Sequence, residues 1–284
     1  MRTGIHTSIA GGLENSVLRA AQLGANTFQI FSASPRSWSF GGVERQAARR
    51  LRATREKLDL RPLVVHDNYL INLASAAEAV RRNSIAAFRA EIKRARALGA
   101  EYLVMHPGSA RGQTIEQALE NLTGSLATAV RGLKLDGLVI LLENTAGAGL
   151  TIGRTFEELR ELHDRLLQAA ALDTGYCLDT AHCLASGYDV GSAEGLERTL
   201  AAASRLLGLE KAPVNHANDS KTALGSQVDR HEHIGRGYIG KDGFRRILQH
   251  PKLRDKAFIL ETPIDKPGDD QRNLRLLKRL AAGL

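Results

Sequence analysis

Six short apolar stretches of this 284-residue chain end in a side chain that can bind a metal ion or carry a proton. They are His66 in VVHDNYLINL, His106 in VMHPGS, Glu143 in ILLENTAG, Asp179 in CLDTAH, His216 in VNHANDSK and Glu261 in FILETP. Asp plus Glu number 31 and His 9, so these types make up roughly one residue in seven. Six such coincidences, with two positions allowed per strand, would arise by chance roughly once in several thousand sequences. An apolar strand that ends in an unpaired carboxylate or imidazole is costly unless something compensates it. Three more groups follow: His182, three residues after Asp179, and Asp229 with His231 in QVDRHEHIG. On an extended segment residues i and i+2 share a side, so Asp229 and His231 could hold one ion, which His182 could reach from the neighbouring loop. Alone, Asp229 pairs as readily with Arg230 or Arg236; beside six converging strand ends the ligand role is preferred. Imidazoles and carboxylates without thiolates suit Zn²⁺ or Mn²⁺.

The elements that must position these groups alternate along the whole chain. Strands are expected at Arg2–His6, Thr27–Ser32, Pro62–His66, Tyr102–His106, Leu138–Asn144, Gly175–Thr180, Ala212–Asp219 and Ala257–Thr262. Amphipathic helices are expected between them, from a short Leu13–Leu23 through Val43–Leu58, Ala76–Leu98, Thr114–Leu133, Thr155–Ala169, Ala193–Leu207 and Lys241–Gln249 to Gln271–Ala282. RAAQLGANTFQIF and RARALGAEYLVMH repeat one join, in which Gly24 and Gly99 read as helix-ending glycines. Strands alternating with helices imply a parallel sheet. Eight units with no linker between them imply one α/β domain over residues 1–284, a (β/α)8 TIM barrel whose site lies at the C-terminal ends of the strands. His163, His233 and His250 fall outside the pattern and read as ordinary. His6 ends the first strand and reads as a supporting group or substrate contact.

Composition narrows the partners. Lys plus Arg number 39 against 31 acids, a net charge of +8 and a pI near 9.7, which favours a polyanion. No run of about 18 apolar residues occurs, which excludes a membrane span. The N-terminus carries no apolar signal region, and Cys177 and Cys183 read as buried thiols in a reducing cytoplasm.

These residues, in this order, resemble the endonuclease IV family of apurinic/apyrimidinic endonucleases. The similarity is carried by HTSIAGG, SPRSW, HDNYLINL, MHPGS, LENTAG, CLDTAHCLASGYD, NDSK, VDRHEHIG and LETP, which run from residue 6 to 263. The resemblance implies a trinuclear zinc site. His66, His106 and Glu143 would hold one ion; Glu143 would bridge to a second, also bound by Asp179, His216 and Glu261; His182, Asp229 and His231 would hold the third. It also implies that Arg36, Tyr69 and Leu70 enter duplex DNA at an abasic site. A metal-activated hydroxide would cut the phosphodiester bond on the 5′ side, leaving a 3′-hydroxyl and a 5′-deoxyribose phosphate; the sequence leaves open whether blocked 3′ ends are trimmed as well. The enzyme is expected to be a monomer that works on the nucleoid. Two positions depart from the pattern: Ala217 is smaller than usual, and Arg236 in GRGYIG stands where an acid or Lys is common.

Two other readings fit part of the pattern. A sugar isomerase or epimerase on the same barrel would need only Glu143, Asp179, His216 and Glu261 around a single ion, which leaves five ligand-type groups without a role. A basic barrel that merely binds DNA or stores metal would nick nothing.

Overall fold

The computed structural model describes residues 1–284. Eight strands build the barrel: β1 Arg2–His6, β2 Thr27–Phe31, β3 Leu63–His66, β4 Tyr102–Met105, β5 Val139–Glu143, β6 Gly175–Asp179, β7 Val214–His216 and β10 Ala257–Leu260. They close in sequence order, every neighbouring pair parallel, with β1 joined to both β2 and β10. Outside them lie α1 Leu13–Leu23, α2 Arg45–Lys57, α3 Glu78–Leu98, α4 Ile115–Val130, α5 Phe156–Ala170, α7 Ala193–Leu206, α8 Gly240–Gln249 and α9 Asp269–Ala281. This is the expected eight-stranded TIM barrel. Gly24 and Gly99 end α1 and α3 with φ of 84° and 69°, a left-handed turn that costs a side chain energy. No helix is long and apolar enough to cross a membrane.

Side-chain alternation divides the apolar residues into two sets. A large set fills the space between barrel and helices, while Val64, Val104, Leu141, Cys177, Val214, Ala257 and Ile259 plug the barrel interior. Two residues beyond six of these inner positions stand His66, His106, Glu143, Asp179, His216 and Glu261. A strand has a period of two, so each of the six is the next inward group toward the C-terminal mouth. His6 and Gln29 do the same from β1 and β2, where they are paired in register. Every strand therefore contributes one polar group above an apolar plug.

The structure corrects the sequence expectation in three places. His182 lies not in a loop but on a seven-residue helix, α6 Thr180–Ser186, that starts directly at the end of β6. The seventh strand stops at His216 rather than Asp219, because the Thr180 hydroxyl engages both the N–H and the carbonyl of Asn218 just beyond it. Asp219 instead opens a two-stranded hairpin, β8 Asp219–Ser220 with β9 His231–Glu232, which pairs Ser220 with His231.

Candidate metal centre

At the C-terminal mouth the nine singled-out side chains meet. Their donor atoms form three clusters within 4.8 Å: His66, His106 and Glu143; Glu143, Asp179, His216 and Glu261; and Asp179, His182 and His231. Asp229 joins the third, its Oδ1 3.3 Å from His182 Nε2 and 3.6 Å from His231 Nε2. Glu143, fully buried, belongs to two clusters at once. Its Oε2 faces His66 at 3.1 Å and His106 at 3.2 Å, while its Oε1 faces His216 at 2.9 Å. The two oxygens of one carboxylate thus serve two sides of the mouth.

The outer nitrogens of the rings decide what the inner ones can do. His66 Nδ1 donates to the Asp67 carbonyl at 3.0 Å, His182 Nδ1 to the Asn144 carbonyl at 2.9 Å and His231 Nδ1 to the Glu261 carbonyl at 3.2 Å. His216 Nε2 donates to the Gln29 side-chain oxygen at 2.8 Å. A carbonyl can only accept, so the nitrogen facing the carboxylates carries a lone pair whenever the ring is neutral. Lone pairs would then face carboxylate oxygens at 2.9 to 3.3 Å with nothing between them. Such an array requires a proton or a metal cation, and outward N–H groups held by carbonyls are the usual support of metal-bound imidazoles. His231 Nε2 sharpens the point: it is buried and has no hydrogen-bond partner. The donor set fits divalent metal.

Amide side chains hold the acids. Asn218 donates to Asp179 Oδ2 at 2.6 Å and accepts the Glu261 N–H at 2.8 Å. Asn144 accepts the Asp179 N–H at 2.7 Å, and Gln29 donates to Glu261 Oε1 at 2.6 Å. Asp179 also caps α6, accepting the His182 N–H at 2.8 Å, so the helix start and the cluster share one carboxylate. His6 sits 3.0 Å from Gln29 and 3.6 Å from Glu261, a supporting position. Sequence reading passed over Gln29, Asn144 and Asn218. The signal for Gln29 was a polar residue at the centre of the apolar strand TFQIF.

Charge in the mouth follows from this geometry. Burial pushes Glu143 up, but the imidazoles of His216, His106 and His182 hold it well below the usual carboxylate range. Burial pulls His66 and His182 down, and the carboxylates of Glu143 for the first and Asp179, Asp229 and Glu143 for the second outweigh it, so both are raised. Burial pushes the Cys177 thiol up to about 11, which leaves no thiolate here at neutral pH. A group whose pKa rises on folding stabilises the fold below its unfolded value, near 6.5 for His, and loses that contribution as pH climbs through the raised folded value. The thermal midpoint of metal-stripped protein is therefore expected to fall as pH rises above about 6.5, and a saturating divalent cation to abolish the fall. A flat or rising midpoint in the stripped protein would contradict the assignment.

A cavity of about 340 Å³ opens over the centre, lined by Phe31, Tyr69, Thr262 and Ile264 among others. Tyr69 stands exposed at its rim, 69% accessible, the adjoining Leu70 is 37% accessible, and Arg36 is exposed on the loop after β2. Tyr69 packs edge-on against Phe31, which in turn touches His6 and His66. A larger cavity of about 730 Å³ lies at the opposite end, among Arg2, Arg61, Tyr102 and Lys256, where none of the nine groups reaches. A fourth cluster, His233 with Asp265 and Asp269, is no ligand set. Asn273 accepts from the Ile234 N–H and donates to His233 Nδ1, so His233 Nε2 carries the proton and donates to Asp265 at 3.3 Å. His163 and His250 bond to Thr174 and Glu197 away from the mouth.

Comparison with known proteins bears on the fold and the family. The family model described as a xylose isomerase-like TIM barrel matches residues 17–280. The chain is 56% identical over 281 residues to the "Probable endonuclease 4" of Solibacter usitatus (strain Ellin6076), covering 99% of this chain and 97% of the relative. It is similar to the crystal structure of endonuclease IV from Thermus thermophilus, with a TM-score of 0.88, 40% identity and full coverage of both chains. A D-tagatose 3-epimerase-like protein, 21% identical with a TM-score of 0.72 over 99% of this chain and 97% of that one, shares the fold alone. With these relatives and this barrel, the chain belongs to the endonuclease IV family.

Proposed function

We propose that this protein is a metal-dependent endonuclease of DNA repair that hydrolyses the phosphodiester bond 5′ to abasic sites in duplex DNA. The observation that carries this is the shared carboxylate: Glu143 faces two clusters of ligand-type side chains at once, beside a third formed by Asp179, His182 and His231. His66 and His106 would hold one Zn²⁺ with Glu143; Asp179, His216 and Glu261 would hold a second with the other Glu143 oxygen. His182, Asp229 and His231 would hold a third, with Mn²⁺ able to replace zinc at one or more positions. When bound, such ions lower the pKa of water towards about 7 and neutralise phosphate oxygens, which are the two demands of phosphodiester hydrolysis. Glu143, Asp179 and Glu261 would supply the negative charge that keeps several cations together, with Gln29, Asn144 and Asn218 fixing the orientation of the carboxylates and of His216.

Arg36, Tyr69 and Leu70 would engage the lesion, an apolar wedge being cheapest to insert where a base is already missing. Seven carboxylates are buried against one guanidinium, so the accessible surface is more cationic than the formal charge of +8 and suits a duplex. The products would be a 3′-hydroxyl and a 5′-deoxyribose phosphate, with 3′-phosphate and 3′-phosphodiester trimming by the same centre. The protein would act in the cytoplasm, at the nucleoid, as a monomeric single-domain barrel.

The single-ion sugar isomerase is the second reading, since Glu143, Asp179, His216 and Glu261 form one cluster alone and an epimerase-like protein shares the fold. Its chemistry has no use for the other two clusters. Incubation with a duplex oligonucleotide bearing one abasic analogue separates the two: a nick on the 5′ side, lost on chelation and restored by zinc, is expected. An intact strand at high enzyme concentration with zinc supplied would refute the nuclease.

A further inference from the structure

One buried charge pair lies outside the metal centre and has no part in it. Glu91 and Arg94 on α3 are each 2% accessible, with Arg94 Nη2 2.6 Å from Glu91 Oε1. No acceptor lies in line with the Nη2 hydrogens, so the contact is one of charge rather than a good hydrogen bond. A buried ion pair is a poor source of stability, and well-packed apolar residues often serve as well. What this pair does hold is a loop. Arg94 Nε donates to the Ser32 hydroxyl at 2.6 Å, and its Nη1 donates to the Gly41 carbonyl at 2.8 Å and the Ser39 carbonyl at 3.4 Å. Ser32 in turn donates to Glu91. From the other side Asn68 Nδ2 donates to the carbonyls of Ser34 and Ser37, at 2.9 and 2.8 Å, while Asn68 Oδ1 accepts the Leu70 N–H at 2.7 Å.

The segment from Ser32 to Gly41 has no helix or strand of its own, so these donors take the place of a hydrogen-bond ladder. At its apex, between the two Asn68 anchors, stands Arg36, exposed and without a hydrogen bond or ion pair to the rest of the chain. Ordering a loop before binding removes that entropy from the cost of association.

We infer that Arg94, with Glu91 and Ser32, is a positioning device that fixes the Ser32–Gly41 loop and so presents Arg36, beside Tyr69 and Leu70, to the damaged duplex. This rests on the lesion-binding role proposed above for Arg36. Two variants probe it. E91M/R94M removes both charges together and strands neither, and Arg94→Lys keeps the charge but cannot reach Ser32, Ser39 and Gly41 at once. With an abasic-analogue duplex as substrate, each is expected to keep wild-type metal content and a kcat within about threefold, while KM rises about tenfold, within the coupling range of contacting groups. In an Arg36→Ala background the same substitutions are expected to raise KM less than about twofold, because the clamp acts through Arg36. Should E91M/R94M fail to fold, Arg94→Lys carries the same comparison. An unchanged KM in the wild-type background, or the full tenfold rise recurring beside Arg36→Ala, overturns the clamp. Wild-type protein that nicks abasic and intact duplex equally would instead sink the proposed function, and the clamp's lesion role with it.

Discussion

Replacing Glu143 with Ala is expected to slow abasic-site cleavage by more than about 1,000-fold, beyond the loss typical of one transition-state contact. It is also expected to lower bound metal by at least one ion per chain. The two Glu143 oxygens face three imidazoles at 2.9 to 3.2 Å, closer than the two imidazoles that face the other shared carboxylate, Asp179, at 3.7 and 3.9 Å. The fold should survive. Without the carboxylate, His66 and His106 can release their protons and remain as neutral imidazoles, while His216 keeps Glu261 as its partner at 3.3 Å. Circular dichroism, elemental analysis and single-turnover nicking of an abasic-analogue duplex check the three parts separately. A variant with wild-type rate would remove Glu143 from the chemistry.

The second large effect is expected at the rim. Tyr69→Ala should raise KM for the abasic duplex by about tenfold or more, the range of one lost stacking contact, with a smaller change in kcat. The ring is exposed to solvent yet held against Phe31 with centroids 5.0 Å apart, and Phe31 rests on His6 and His66. It is therefore an aromatic fixed in place without being buried, rooted directly in the layer of ligand-type side chains. Affinity for undamaged duplex, carried by phosphate contacts, should change little. If the variant lost affinity for damaged and intact DNA alike, Tyr69 would be a general contact and not a wedge.

Much of this site could be read before any coordinates, for a physical reason. In a parallel barrel, position along each strand converts directly into depth, so one polar residue at the end of six apolar strands already implies a single polar layer. His66, Glu143 and His216 were legible in that way. What escaped was local chemistry that overrides periodicity. The helix α6 is only seven residues long, and its cap is Asp179, which strand periodicity assigns to β6. The seventh strand ends early because Thr180, one residue past β6, reaches across to the carbonyl of Asn218. Gln29, Asn144 and Asn218 escaped because an amide acquires meaning only when its partner, distant in sequence, is in place. The Glu91–Arg94 pair escaped because a charged helix residue is normally solvated, and only the packed loop shows otherwise.

The most direct test of the whole account is the number of metal ions bound per chain, measured by elemental analysis on protein purified without chelator. Nine donors in three overlapping clusters predict about three divalent ions, zinc among them, with the count falling in Glu143→Ala. A single ion per chain, or none in protein that still nicks abasic DNA at full rate, would contradict it.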